Sequence, residues 1–206
     1  LEALKKEANS LKARILINFS LMILHNRSGN NEMAYQCSRE NFEILGKLAP
    51  PINEWFGISL SVLVNIATSC LITGRMAEYK KRLKSLENMY RKGVKGNKEV
   101  LATALLTVHA VSYSYTKRTI LNSKELGTLN DLFEKSISNK PVISYLLFKN
   151  SITVLFVMLI NQNLSYATNI LFLLETHRKS LTSKQLVFSK ILRIIVFLEC
   201  DKLDIV

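Results

Sequence analysis

NIATSCLITGRMAEYKKRLKSLENMY, from Asn65 to Tyr90, is the stretch whose reading decides the fold. An apolar segment of helical period ends at Gly74, and a more polar helical segment opens almost immediately at Met76. Glycine just past a helix end is the expected stop chemistry, because it enters the left-handed region without steric cost. Two helices joined by so short a turn lie side by side in opposite directions, and each leaves apolar surface that only further pairs can cover.

Outward from this copy the pattern recurs. Turns are expected at Gly29, Gly74, about Asn122, Gln162 and about Asp201, at intervals of 45, 48, 40 and 39 residues. A second landmark repeats the period: Leu45, Leu86, Leu132 and Leu174 each follow another apolar residue, Phe42, Leu83, Leu129 and Leu171, by three positions, at intervals of 41, 46 and 42. Repeats of this length mark stacked helix pairs. The fold class expected is all-α, an α-α superhelix of about nine to ten helices forming one domain over residues 1–206.

The individual helices are expected from about Glu2 to Asn26, Asn31 to Leu48, Asn53 to Thr73, Met76 to Arg91, Lys98 to Arg118, Ser123 to Ser138, Pro141 to Asn161 and Ser165 to Lys179. A ninth opens at Thr182, where Gln185 completes a capping box, and the chain stops inside a tenth. Asn97 and either Asn122 or Ser123 stand at N-cap positions. First helices of each pair, being more apolar, are expected to be better buried than the charged second helices. The chain starts at Leu1 and ends within an apolar segment at Val206, which suggests a fragment of a longer protein.

Composition supports a packed helical protein, with 48% apolar and 21% charged residues, seven Gly and three Pro. No membrane span is expected. Pro141 to Ile160 carries Lys149 and Asn150 at its centre, where a lysine costs about 2.5–3.5 kcal/mol in a bilayer, and Ile15 to Leu24 is too short. Cys37, Cys70 and Cys200 are odd in number and far apart, so free buried thiols are expected rather than disulfides, with the cytoplasm as the default location.

The net charge is +12. Its densest cluster contains Lys80, Lys81, Lys84, Arg91 and Lys92, a candidate basic face for nucleic acid or an acidic protein. Its bland alternative is the solvated side of one helix. His25, His109 and His177 are isolated, and the HExxH, CxxC, GxSxG and Gly-rich phosphate-loop patterns are absent. Neither a catalytic residue, a metal site nor a cofactor is expected.

The turns carry a resemblance. Gly29 is followed five residues on by Ala34, Gly74 by Tyr79 and Gln162 by Ala167, and this resembles the G-x-x-x-x-A/Y turn of the tetratricopeptide-repeat class. The segments LITGRMAEYKKRLKSLENMY and LINQNLSYATNILFLLETHRK are similar in style to the divergent tetratricopeptide-like proteins common in Bacteroidetes. The resemblance spans essentially the whole chain, although the units exceed 34 residues. It implies an α-α superhelix acting as a binding scaffold for a protein or peptide, and no catalytic residue. Asn18, Asn65, His109, Tyr113, Lys149 and Asn150 are the candidates to line its concave groove. The plainer expectation is that the asparagines bond to neighbouring turns or pair between repeats, and that the aromatic tips pack between repeats. Nucleic acid is the alternative partner, and exposed terminal repeats could pair two copies into a dimer.

Overall fold

The computed structural model describes Lys5 and residues 10–47, 56–92, 98–116, 120–137 and 145–199. Among the described residues there are nine α-helices and no strand. They are α1 Leu11–Arg27, α2 Asn31–Lys47, α3 Phe56–Ile72, α4 Met76–Lys92, α5 Lys98–Thr116, α6 Ser123–Ile137, α7 Tyr145–Ile160, α8 Leu164–Thr176 and α9 Ser183–Glu199, with a 3-10 turn at Arg178–Ser180 before α9. The cap expected at Asn97, the helix start expected at Pro141 and the tenth helix lie outside the described residues.

Three of the turns are built identically. In the first, the Asn30 N–H donates to the His25 carbonyl and Gly29 to Asn26; in the second, Arg75 donates to Cys70 and Gly74 to Leu71; in the third, Asn163 donates to Met158 and Gln162 to Leu159. This is the two-bond closure that satisfies the last carbonyls of a helix. It needs a left-handed residue, and Gly29, Gly74 and Gln162 have φ of 75°, 75° and 54°. The next helix starts two residues later, and the fifth residue past the left-handed one, Ala34, Tyr79 or Ala167, is buried each time.

The α5–α6 connection is closed differently. Asn122 and Glu125 cap each other's backbone N–H at 3.0 Å, and Asn161 at the end of α7 accepts from the Leu121 N–H at 2.7 Å. The capping box of α9 forms as expected, with the Thr182 N–H donating to Gln185 Oε1 at 2.8 Å. The first helix departs from expectation. Ser10 is extended, at φ −112° and ψ 143°, and its Oγ accepts from the Ala13 N–H, so α1 begins at Leu11 instead of continuing from Glu2. A serine hydroxyl competes with the helix for backbone donors and so marks a boundary.

Helix packing divides the chain into two compact units, Leu1–Lys92 and Gly93–Val206. In the first, α2 packs on α1 and α3, and α4 on α3; Ile15, Ile44 and Val62 join α1, α2 and α3 in one cluster flanked by Phe19, Phe42 and Leu45. In the second, α5 packs on α6 and α7, α8 on α7, and α9 on α8, around Leu106, Leu129, Phe133, Leu155 and Ile170.

Burial follows the expected first-helix rule only in part. The apolar α3 is mostly inside, and α4 buries only Tyr79 and Leu86. Yet α6, a second helix, buries seven residues, including Phe133 with no exposed surface. Conversely α1 leaves Leu16, Ile23 and Leu24 half exposed. The leucine landmark also needs correction. Counted from the turns, the positions matching Leu83 and Leu86 in the first pair are Ser38 and Asn41, one helical turn before Phe42 and Leu45; both matching residues are buried, whereas Phe42 and Leu45 are only partly so.

Candidate functional site

The cationic face of α4 is the most coherent surface. The exposed side chains of α4 include Lys80, Lys81, Lys84, Asn88, Arg91 and Lys92, which recur at helical spacing along about 18 Å of axis. Among the described residues Lys80, Lys81, Lys84, Arg91 and Lys92 form no ion pair. Lys80 and Lys84 are one turn apart, a like-charge spacing that costs a few tenths of a kcal/mol. An anion laid along this face would remove that repulsion.

What aims this face outward is a bonded chain between α2 and α4. Arg75 occupies the turn position where Asn30 and Asn163 act as side-chain caps, and it reaches back to both Glu32 oxygens at 2.8 and 3.0 Å. Its guanidinium lies 4.0 Å from the Tyr35 ring centroid. The Tyr35 hydroxyl donates to Glu78 at 2.9 Å. Arg82 donates to Glu78 at 2.8 Å and lies 4.0 Å from the Phe42 ring centroid. Arg82 is therefore turned inward, away from its lysine neighbours, although the sequence groups it with them. The hydrogen bond from Arg82 holds the Glu78 carboxyl below its ordinary range against burial, with Tyr35 assisting. Burial, reinforced by the Glu78 charge, pushes the Cys70 thiol up to about 12, which leaves it a neutral, unreactive group.

The six groove candidates do not form one set. Asn18 is completely buried on α1 and donates through Nδ2 to Asn41 Oδ1 at 2.9 Å, while Asn41 donates to the Ile15 carbonyl at 3.1 Å. Asn150 is buried on α7 and donates to Thr107 Oγ1 on α5 at 2.8 Å. Both amides hold helices together. Asn65 on α3 is half-buried, as are His109 and Tyr113 on α5, and Lys149 on α7 is exposed. Measured back from Gly29, Gly74 and Gln162, the three asparagines lie 11, 9 and 12 residues before the turn, so Asn65 and Asn150, three positions apart in this register, share a helix face and Asn18 does not. The His109 and Tyr113 rings stack with centroids 6.2 Å apart. Burial lowers the His109 pKa from its ordinary 6.5, with Glu125 opposing.

Among the described residues no group of three or more His, Cys, Asp or Glu side chains is placed to hold a metal ion. Cys37 and Cys70 are buried thiols that form no disulfide. Among the same residues no helix is long and apolar enough to cross a membrane.

One surface lies outside the sequence reading. Along α9, Val187, Ile191, Ile194 and Leu198 are 43–60% exposed. The signal is present in the spacing of four, three and four residues, but it is masked because α9 carries a second apolar face. Comparison with known proteins finds no matching family model, no matching curated protein and no matching solved structure.

Proposed function

We propose that this chain is a non-catalytic binding module of the tetratricopeptide-like style, in which tandem helix pairs form a superhelix that holds a protein or peptide partner. The observation that carries the reading is the recurrence of one turn, with the same two backbone bonds and the same buried fifth residue, at Gly29, Gly74 and Gln162. Tandem helix pairs extend a surface by repetition, and such surfaces serve recognition rather than chemistry. Fold analogy supplies the step from architecture to binding. With Asn18 and Asn150 engaged internally, the candidates left for partner contact are Asn65 in the first unit and, separately, His109, Tyr113 and Lys149 in the second. The test is affinity capture from a cell lysate at low and high salt after nuclease treatment. A discrete protein retained in both salts, and weakened by Asn65→Ala with Lys149→Ala, is the expected result; no protein captured under either condition would sink the reading.

The five cations of α4 that form no ion pair among the described residues favour a second reading, in which this face binds nucleic acid as part of a regulator. Such binding is driven by counterion release and weakens steeply with salt. Fluorescence anisotropy with labelled single- and double-stranded oligonucleotides would show a steep salt slope that Lys80→Glu with Lys84→Glu removes. An affinity that does not change with salt excludes it.

A further inference from the structure

We infer that the outer face of α9 is a docking site for an amphipathic helix of another protein whose flanks are acidic; this rests on the protein-binding reading and names the partner's chemistry. The buried face of α9 is Gln185, Ser189, Leu192 and Val196, and it packs toward α8. Val187, Ile191, Ile194 and Leu198 lie on the opposite side of the same helix, since each residue advances the helix by about 100°. They are 60%, 47%, 43% and 48% exposed. Their four-three-four spacing is a 3.5-residue repeat, the narrow seam that accepts another helix by knobs-into-holes packing.

Charge decides which helix fits. Beside the seam is a groove of about 270 Å³ walled by Phe148, Ile152 and Phe188 and edged by Lys149 and Lys184. Lys190 is exposed on α9, and Arg193 stands 3.6 Å from Glu175. Arg193 is thereby matched by Glu175, so Lys149, Lys184 and Lys190 are the cations left to face a partner, and the one exposed carboxylate of α9 is Glu199. A second copy of the chain would bring the same lysines against their counterparts. A helix with Asp and Glu beside its apolar seam meets them with opposite charge, which sets register and partner choice.

The probe is a fluorescein-labelled helical peptide of about three heptads, with Leu at the seam positions and Glu beside them. The same peptide with Lys in place of Glu serves as comparison. Titrated into the full chain, the acidic peptide is expected to bind at least about 10-fold more tightly than the basic one, and Ile191→Glu with Ile194→Glu to weaken it at least about 30-fold, the scale of losing central apolar anchors. Val187→Glu, at the most exposed position, should weaken it without disturbing the fold, and circular dichroism melts check that each variant is folded. Leu16→Glu with Ile23→Glu on α1 should leave binding unchanged. No binding of the acidic peptide, equal binding of both peptides, or binding indifferent to the α9 variants overturns the inference. So does light scattering that shows a dimer abolished by Ile191→Glu with Ile194→Glu, which would assign the seam to a second copy. If lysate capture retains the same protein with wild-type chain and with the α9 variants, the protein-binding reading stands and this inference falls. If lysate capture fails while the peptide binds as expected, the reverse holds.

Discussion

Gly74 and Gln162 occupy equivalent places in two turns, at φ 75° and 54°, and this makes the residue-scale energetics testable as a pair. A Cβ added at Gly74 meets nothing within 4 Å, so Gly74→Ala isolates the backbone cost and should destabilise by about 1–2 kcal/mol. Gln162→Gly should do the opposite, stabilising by up to about 1 kcal/mol after the greater chain entropy of glycine is subtracted. Urea midpoints of the two variants check both signs. Asn18→Ala leaves the buried Asn41 Oδ1 without its donor and should cost about 1–3 kcal/mol, whereas Asn65→Ala, with its site half open, should stay within about 0.5 kcal/mol. His109 supplies a pH dependence. Its folded pKa is depressed by burial below 6.5, so the unfolded chain binds the extra proton first. The stability it contributes is complete above pH 6.5 and is lost as pH falls through the window below that value. Thermal melts at pH 7.5 and 5.5 should show a smaller difference in His109→Gln than in the wild type.

Among the elements, α6 and α4 show how far a helix can depart from its compositional type. Both read as polar second helices. α4 keeps two residues buried and shows its lysines, whereas α6 sinks Leu126, Leu129, Leu132 and Phe133 into the second unit. Phe133→Ala should therefore cost about 3–5 kcal/mol, while Phe172→Ala on α8, where the ring is 61% exposed, should change stability by less than about 0.5 kcal/mol. Denaturation by guanidinium compares them directly. The limits of the elements were legible because their signals are local: Gly29 and Gly74 stop helices, and Thr182 with Gln185 starts one. Ser10 was missed as a start signal because the apolar pattern continues across it. The rotation of each helix was harder to read. Phe42 and Leu45 are apolar and in phase, yet the positions equivalent to Leu83 and Leu86 belong to Ser38 and Asn41, which are buried with their polar atoms bonded, Ser38 to Ser69 and the Ala34 carbonyl and Asn41 to Asn18 and the Ile15 carbonyl.

At the scale of the whole molecule, 28 basic against 16 acidic residues give the net charge of +12, and a field of that size concentrates polyanions at the surface. Wild-type protein should be retained on heparin, and Lys80→Glu with Lys81→Glu and Lys84→Glu should elute at distinctly lower salt. Equal elution positions would show that the charge acts diffusely and not through α4. The sequence by itself determined that the chain is helical, where most described helices begin and end, and that turns at Gly29, Gly74 and Gln162 share a chemistry, because capping and glycine conformation are settled within a few residues. Only the tertiary structure decided which side of each helix faces inward. Helices such as α3 and α7 are apolar nearly all round, so periodicity selects no face for them, and contact with neighbouring helices does. The same contacts buried Asn18 and Asn150, turned Arg82 away from the lysines toward Glu78 and Phe42, and left the seam of α9 open.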